Sequence, residues 1–400
     1  MTRSLWGRLG ALDALVVTSL IWFLAKFLRY AFPPLFGTFR AEFGLSNAAV
    51  GTAFTGMMLC YAAMQFPSGV LADRVGPVRV IAAGGAVAGG AALLVAATGA
   101  GGLPVLLAGM VLVGVGTGTH KTVAVMLLPA IYPDRRGRVL GALDTFGTFG
   151  GVVAPAVVVA VLGAALDWEW LFVGAGVAAA GFVVAFLRSV PRRLDSDALD
   201  RGGAAAADGG RPVVGYLALF GDRRFAAFVG VTVLFSFTYN GAVAFLPLYL
   251  TEETALSAGA AGLVYSGFFV VSLVQPLTGD AADRVGELPV IAAALALAAA
   301  GLALLVAVEA ALPAAAAALL LGVGSHGFRP VRGSYLVSVI PDEVAGGTLG
   351  IVRTAIMGVG AVAPAVVGVV ADRSGFAPAF GLLGAVLVAA VAAVLVLLSR

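Results

Sequence analysis

The feature of this sequence that most constrains its fold is an internal repeat of about half the chain length. The segment QFPSGVLADRVG at residues 65–76 returns as QPLTGDAADRVG at residues 275–286. The stretch APAVV at residues 154–158 returns at residues 363–367, at nearly the same offset. A repeat of this length indicates two copies of one structural unit.

The composition identifies what kind of unit is repeated. Of the 400 residues, 61% are hydrophobic and only 11% are charged, whereas soluble domains carry about 25% charged residues. Long apolar stretches therefore predict an all-α membrane protein, in which each helix needs roughly 20 residues to cross the bilayer. We predict twelve transmembrane helices, called spans 1 to 12, at residues 14–36, 48–71, 78–97, 103–130, 139–163, 169–190, 225–250, 258–279, 288–308, 311–340, 346–371 and 376–398.

The repeat and the long polar stretch between spans 6 and 7 define the predicted domains. They are a first six-helix half at residues 1–190, a linker at 191–224 and a second half at 225–400. If the N-terminus lies inside the cell, sixteen Lys and Arg residues fall in inside loops, and Arg40 and Arg373 are the two outside. This asymmetry predicts a multi-pass protein of the cell membrane with both termini cytoplasmic.

The repeated segment resembles a known family signature. GVLADRVG at residues 69–76, which we expect to close the loop between spans 2 and 3, is similar to the signature loop of the major facilitator superfamily, and its copy follows span 8. Twelve spans and a central linker extend the resemblance over the whole chain. The resemblance implies two six-helix halves that bind substrate near the midplane of the bilayer. It also implies alternating access and a monomer. No cofactor is expected.

Charged pairs at the loop ends are candidate gating residues. Asp73 and Arg74 recur in the same order as Asp283 and Arg284. The duplicated order favours a lock on the inner side between the halves, and topology control alone is the simpler alternative. By resemblance to the family, Arg353 is expected to pair with Asp73 as a latch.

Basic residues inside the spans are the strongest sign of a binding site. A charge at the bilayer centre costs about 2.5–3.5 kcal/mol on insertion scales, so these residues must face a water-filled cavity or be neutralised. Asp144 is the one acid placed clearly within a span. For the basic residues, the alternative to substrate binding is that the side chain snorkels toward a membrane interface or donates hydrogen bonds to helix carbonyls. The six basic residues are Lys26, Arg29, Lys121, Arg329, Arg332 and Arg353.

The arrangement of these cations predicts which of them bind substrate. Lys26 and Arg29, three residues apart, share one helix face, and Arg329 follows Lys121 at the repeat offset. Two polar residues that interrupt span 7 and one tyrosine beside Arg29 are added as uncharged candidates. The predicted substrate-binding residues are Lys26, Arg29, Tyr30, Lys121, Arg329, Arg332, Tyr239 and Asn240.

Three further residues are candidates for coupling protons to transport. His120 and His326, the only histidines, can titrate near neutral pH, and they can equally act as neutral donors in helix packing. For Asp144 a structural role is the alternative.

Buried cations without matching acids predict a carrier of small organic anions, either carboxylates or phosphorylated metabolites, because arginine binds both groups through paired hydrogen bonds. Span 1 is similar to that of organophosphate carriers, whose second arginine, in span 7, is missing here. This difference puts carboxylates slightly ahead.

Other functions remain as alternatives, and protons or sodium are the expected coupling ions. A proton-coupled exporter of drugs or other solutes is the main alternative, and a transporter-like sensor is a weaker one. The expected partners are the anion and the lipid bilayer, with no nucleic acid. An enzyme is disfavoured because no nucleophile–base spacing or metal motif is present in the sequence.

Overall fold

The structure, a computed structural model, describes residues 12–194, 218–340 and 345–399. Regular secondary structure in these residues is entirely helical. Most of the predicted linker, residues 195–217, lies outside the described ranges. So does the pair Pro341-Asp342, which repeats Pro133-Asp134 of span 4 at an offset of 208. The α-helices are α1 (Asp13–Phe43), α2 (Asn47–Ala63), α3 (Gln65–Val75), α4 (Pro77–Ala96), α5 (Thr98–Gly118), α6 (His120–Ile131), α7 (Arg136–Gly163), α8 (Glu169–Ser189), α9 (Arg223–Glu253), α10 (Ala258–Val270), α11 (Gln275–Val285), α12 (Glu287–Ala307), α13 (Ala311–Val339), α14 (Ala345–Ser374) and α15 (Phe376–Leu398).

The predicted number of transmembrane helices is confirmed. Within the described ranges, twelve helices or runs of adjoining helices are long and apolar enough to cross a membrane. The second and eighth run to Val75 and Val285, beyond the predicted ends at residues 71 and 279. The signature segment is thus mostly helix rather than loop. The chain turns only at Gly76 and Gly286, whose φ angles of 91° and 92° suit glycine and end the helix.

Three of these runs are interrupted within their length. One breaks at Met64, between α2 and α3, and a second at Thr119, between α5 and α6. The third passes through a 3₁₀ turn, Val271–Val274, between α10 and α11. In lipid, a backbone group freed by such a break needs another partner, because no water is available.

Gln65 supplies a partner at the break between α5 and α6. Its Nε2 donates a hydrogen bond to the carbonyl of Gly118 at 2.9 Å, the last residue of α5. Its Oε1 accepts a hydrogen bond from the hydroxyl of Thr122 at 2.8 Å, in the first turn of α6. One side chain of the repeated segment therefore joins the two sides of the break.

Close helix packing is repeated in the two copies. A Cβ at Gly116 of α5 would lie 2.5 Å from the amide nitrogen of Ala88 in α4. A Cβ at Gly324 of α13 would lie 2.3 Å from that of Ala298 in α12. Both distances are too short for any side chain, so glycine lets each pair of helices approach closely. The repeat thus extends from sequence to packing.

The chain divides into two compact units. Unit 1 comprises Met1–Phe32 and Gly56–Gly209, and unit 2 comprises Pro33–Thr55 and Gly210–Arg400, as far as their residues are described. The tip of the α1–α2 hairpin therefore packs within unit 2. The division into two six-helix halves and a linker stays a prediction.

Two polar contacts hold that hairpin tip inside unit 2. The carboxylate of Asp372, near the end of α14, accepts the main-chain N–H groups of Asn47 and Ala48, each at 2.8 Å. Arg40 forms an ion pair with Glu252. The first contact satisfies two N–H groups at the start of α2 that have no partner within that helix.

In unit 1, buried apolar side chains of α1, α4, α6, α7 and α8 form one core. Leu128, Leu143 and Phe186 are fully buried in it. Trp22 also belongs to this core, and it links the core to the charged residues of α1 and α6.

Candidate functional site

Trp22 lies at the centre of a group of cations in unit 1. The side chain is only 4% exposed. The Nζ atoms of Lys26 and Lys121 lie 5.6 Å from the ring centroid of Trp22, and Cζ of Arg29 lies 5.4 Å from it. All three distances are in the range of cation–π attraction. We call these four residues the Trp22 cluster, and three predicted substrate-binding residues meet in it.

Arg29 is the most deeply buried member of the cluster, at 5% exposure. Its Nε donates to the carbonyl of Ala25 at 3.2 Å, and its guanidinium lies 3.9 Å from the ring centroid of Tyr61. Its Nη2 makes no hydrogen bond within the described ranges. A buried charged donor without an acceptor is costly, and an anionic oxygen would satisfy it.

Lys121 is held by an acid. Its Nζ forms an ion pair with Oδ1 of Asp144 in α7. The Lys121 side chain is 17% exposed, whereas that of Asp144 is 65% exposed. With three cations and one carboxylate, the Trp22 cluster and Asp144 together carry a formal charge of +2 (3 − 1). The excess of positive charge predicted from the sequence is thus reduced, not removed.

Two more predicted residues border the cluster. The Nζ of Lys26 lies 5.2 Å from the ring centroid of Tyr30. The ring of His120 stacks on Trp22, with centroids 5.9 Å apart and planes 14° apart. His120 is buried, faces the main-chain oxygen of Thr18, and neither ring nitrogen meets hydrogen-bond geometry in the described part of the chain.

Beside His120 is a small cavity of about 10 Å³, lined also by Ala25, Gly116 and Thr117. That volume is close to the minimum that holds one water molecule. Its polar lining comes from the side chains of His120 and Thr117.

Helix α7 passes so close to α1 that only glycine fits between them. A Cβ at Gly147 would lie 2.1 Å from Nε1 of Trp22. One at Gly150 would lie 2.9 Å from Cβ of Lys26. Gly147 is three residues after Asp144, so both lie on one face of α7. The same face of α7 thus supplies Asp144 and fixes the position of Trp22.

Unit 2 contains a second group of predicted residues. The guanidinium of Arg329 lies 5.4 Å from the ring centroid of Tyr239. The ring of His326 meets that tyrosine edge-on at 5.8 Å. Arg332 lies within electrostatic range of both Arg329 and Arg353, and its Nε makes no hydrogen bond among the described residues. In unit 2, Arg329 thus contacts Tyr239, and Arg332 lies within electrostatic range of two further arginines.

The repeat relates the two groups position by position. Pro34 and Pro247 set the offset of span 1 at 213, which pairs Trp22 with Phe235, and the offset of 208 in span 4 pairs His120 with Phe328. The rings of Phe235 and Phe328 are in contact, with centroids 4.3 Å apart. The aromatic contact is thus kept in both copies.

The charges of the two copies differ. The offset of 208 pairs Lys121 with Arg329, and the offset of 209 in span 5 pairs Asp144 with Arg353. The first copy therefore carries a lysine and an acid, where the second carries two arginines. At these matched positions an acid stands beside the cation in the first copy, and a second arginine takes its place in the other copy.

The remaining predicted residues lie apart from these groups or make local contacts. The Nδ2 of Asn240 donates to the carbonyl of Ser236 in its own helix at 2.8 Å. Asp73 and Arg74 are exposed at the end of α3. Asp283 and Arg284 are exposed at the end of α11. A lock formed by these pairs stays a prediction. No group of residues in the described ranges is arranged to hold a metal ion.

Three residues of the site were not singled out from the sequence. Trp22 precedes Lys26 and Arg29 by four and seven residues, a spacing that places all three on one helix face. Gln65 is identical in both copies of the repeated segment. This repetition marks the residue but does not predict which groups its side chain binds. Gly147 has no such signal, because its role depends on where α7 crosses α1.

Comparison with known sequences identifies related proteins. The model of the Major Facilitator Superfamily matches residues 18–254 and 228–400. A probable sulfoacetate transporter, SauU of Cupriavidus necator, is 29% identical over 172 residues, which are 42% of this chain and 39% of that relative. A probable transporter of Streptomyces coelicolor, SCO4007, is 33% identical over 172 residues, 42% of this chain and 37% of the relative. Each match thus spans about two fifths of the relative's length.

Solved structures resemble the chain over nearly its whole length. A bacterial homologue of the human lysosomal transporter Spinster has a TM-score of 0.80 at 14% identity, with 96% of each chain covered. The nucleoside transporter NupG has a TM-score of 0.76 at 14% identity, with 98% of this chain and 99% of that chain covered. At this level of identity the likeness concerns the fold alone.

Proposed function

Because the chain belongs to the major facilitator superfamily, and is a membrane transporter rather than an enzyme, we propose that it is a secondary active carrier of small organic anions. The observation that carries this proposal is the Trp22 cluster, in which Lys26, Arg29 and Lys121 surround one indole. Cations held together within a membrane repel one another and lose hydration. A bound anion offsets both costs.

The chemistry of the cluster favours carboxylates and sulfonates. Arg29 and Lys26 offer N–H donors at one place, and the unpaired Nη2 of Arg29 needs an acceptor oxygen. With Asp144 included, the formal charge of +2 matches a dianion. Sulfoacetate, the compound named for one relative, is a small dianion with one sulfonate and one carboxylate. Phosphorylated metabolites carry similar charge and remain candidate substrates.

In this proposal, Arg329, Arg332 and Tyr239 of unit 2 take part in anion binding, and transport proceeds by alternating access. The Asp-Arg pairs at residues 73–74 and 283–284 serve as gating residues, with Arg353 as a latch. The protein acts as a monomer in the cell membrane with both termini cytoplasmic, as the loop charges favour. Protons are the proposed coupling ion, so the carrier is a symporter or an antiporter.

Thermal stability in detergent tests the substrate class. The full-length protein is heated with sulfoacetate, a dicarboxylate, a phosphate ester, a neutral sugar or a lipophilic cation. A ligand that binds the folded state raises the melting temperature by mass action. We expect a rise with anions only, and its loss in Arg29→Ala. Arg188→Ala, which changes an exposed arginine at the end of α8, is the matched control and retains the rise.

Two results would contradict the proposal. A rise caused by lipophilic cations alone favours the exporter, and a rise that persists unchanged in Arg29→Ala moves the binding site elsewhere. Uptake of the same anion into proteoliposomes then separates transport from binding, since a sensor binds its ligand without moving it.

A further inference from the structure

The contacts of Arg29 restrict how its guanidinium can bind an anion. A guanidinium has one N–H donor on Nε and two on each Nη. The Nε donor is already used, because it bonds to the carbonyl of Ala25 at 3.2 Å. An anion that forms paired hydrogen bonds with Arg29 must therefore use Nη1 and Nη2, and Nη2 makes no hydrogen bond within the described ranges.

Tyr61 of α2 contacts this guanidinium more closely than Trp22 does. Its ring centroid lies 3.9 Å from Cζ of Arg29, whereas the centroid of Trp22 lies 5.4 Å from it. Arginine stacks well on aromatic faces because its guanidinium is planar and weakly hydrated. The side chains of Tyr61 and Arg29 are both buried, which strengthens the attraction between cation and ring. The ring therefore restricts how the guanidinium can turn.

The backbone that carries Tyr61 is itself held firmly. Helix α2 packs against α5 at two glycines, four residues apart. A Cβ at Gly114 would overlap the carbonyl oxygen of Met57, and a Cβ at Gly118 would lie 2.7 Å from the carbonyl oxygen of Tyr61. The same carbonyl oxygen accepts a hydrogen bond from Nε2 of Gln65 at 3.4 Å. Tyr61 thus projects from a closely packed part of the protein, as a residue that positions another must.

The repeat lacks both members of the pair in its second copy. The offset of 213 in span 1 pairs Arg29 with Ala242, and the offset of 210 between the two signature segments pairs Tyr61 with Val271. The second copy thus has neither the cation nor the ring at these positions. A tyrosine needed only for helix packing would not have to accompany an arginine of another helix. The joint absence favours a role of Tyr61 toward Arg29.

We propose that Tyr61 is a positioning residue for the anion: it holds the guanidinium of Arg29 in one plane, so that Nη1 and Nη2 together bind two oxygens of one acidic group. The inference rests on the proposed transport of organic anions. Two N–H groups in a fixed plane fit two oxygens that share one atom, as in a carboxylate, a sulfonate or a phosphate. A single-atom anion such as chloride does not match this geometry. The carrier therefore selects oxyanions by geometry as well as by charge.

Calorimetry on the purified full-length protein tests the proposal through a double-mutant cycle, with sulfoacetate as the probe. Arg29→Lys keeps the charge but removes the planar pair of donors, and Tyr61→Leu removes the ring. We expect each change alone to reduce affinity by about tenfold. The double variant should bind about as tightly as Arg29→Lys, because the ring then has no guanidinium to position. Losses that multiply to about a hundredfold would overturn the proposal, since independent effects add in free energy.

Two further variants separate positioning from stability. Tyr61→Phe keeps the ring and should retain the affinity of the wild type to within about twofold. Tyr249→Leu changes a fully buried tyrosine of α9 whose hydroxyl donates to the carbonyl of Leu305. This control should melt at a lower temperature and still bind sulfoacetate as the wild type does. If Tyr61→Leu behaves in the same way as Tyr249→Leu, Tyr61 only fills space and the proposal is wrong.

If Tyr61→Leu does not fold, Tyr61→Met replaces it in the cycle as a flexible side chain without a ring. The wild type offers a second measurement. Acetate and chloride carry the same charge, but only acetate has two oxygens on one atom. We expect acetate to displace sulfoacetate at a concentration about tenfold lower than chloride does. Equal displacement by the two anions would overturn selection by geometry.

The outcomes separate this inference from the proposed function. If Arg29→Lys weakens binding of sulfoacetate and Tyr61→Leu does not, only the role of Tyr61 is overturned, and Arg29 stays in the anion site. If Arg29→Lys and Arg29→Ala both bind as the wild type does, the anion binds elsewhere and both proposals fail.

Discussion

Gln65 donates a hydrogen bond to the carbonyl of Gly118. A side chain of the repeated segment thus provides a hydrogen-bond donor at the break in a membrane-spanning helix. The break precedes His120 and Lys121 directly. The position of both residues therefore depends on α3 as well as on their own helix. The bonds of Gln65 thus join α3 to the start of α6, which carries Lys121 of the Trp22 cluster.

Replacing Gln65 by leucine should lower both stability and anion affinity. The change removes the bonds to Gly118 and Thr122 and leaves a buried carbonyl without a partner, at a cost of about 1–3 kcal/mol. A lower melting temperature in detergent and weaker binding of the anion are the expected measurements.

The repeat provides the control for this change. Gln275 stands at the same place in the second copy, and its side chain makes no hydrogen bond that the structure describes. Gln275→Leu should therefore alter stability by less than Gln65→Leu. Equal losses in the two variants would show that the bond to Gly118 has no special role.

Gly147→Ala should displace Trp22. The added methyl group would lie 2.1 Å from Nε1 of the indole, so either the ring or α7 must move, at a typical cost of about 1–3 kcal/mol. We expect a lower melting temperature and an anion affinity reduced by about tenfold. Gly141→Ala, in the same helix where a Cβ meets nothing within 4 Å, should be neutral or slightly stabilising.

Trp22→Leu should weaken anion binding without removing any charge. The indole faces three cations, and each such contact is worth about 0.5–1 kcal/mol or more. Their loss leaves Lys26, Arg29 and Lys121 less well positioned, and we expect an affinity reduced by about tenfold or more in binding assays. Trp170→Leu, at an exposed tryptophan of α8, serves as the control. Unchanged anion affinity in Trp22→Leu would remove the ring from the site.

Asp372→Ala should destabilise the start of α2. The carboxylate accepts two main-chain N–H groups there, and loss of such a cap costs about 0.5–2 kcal/mol. Thermal melting measures the effect. Asp280→Ala, which removes an exposed acid paired only with Arg284 of its own helix, should change the melting temperature little. The prediction is wrong if the two variants melt alike.

Much of the fold is readable from the sequence because a bilayer imposes simple rules. Each span needs about twenty apolar residues, and the twelve predicted spans correspond to twelve found within the described residues. The largest error is at the end of α1, which runs to Phe43, seven residues past the predicted end at residue 36. Helices α3 and α11 also continue past the predicted ends: both segments are polar enough to resemble loops, yet no residue before Gly76 or Gly286 forces the helix to stop.

The site was predictable in its charges but not in its partners. Lys26, Arg29 and Lys121 stand out because cations are rare in membrane helices. The pairing of Lys121 with Asp144, and the meeting of three cations at Trp22, depend on how α1, α6 and α7 cross. The crossing of the helices is set by close packing at many positions, including Gly147, where no side chain fits. The residue pattern of one helix does not predict where it crosses another.

Helix α1 belongs partly to each compact unit, with the change at Pro33. A fragment cut from the chain at the linker would thus carry residues 33–55 away from the helices against which they pack. Neither fragment would be complete alone: one would expose Phe36 and Phe39, and the other would lack the partner of Asp372. Co-expressed fragments should therefore restore transport only by reassociating, and a tag on one should purify the other.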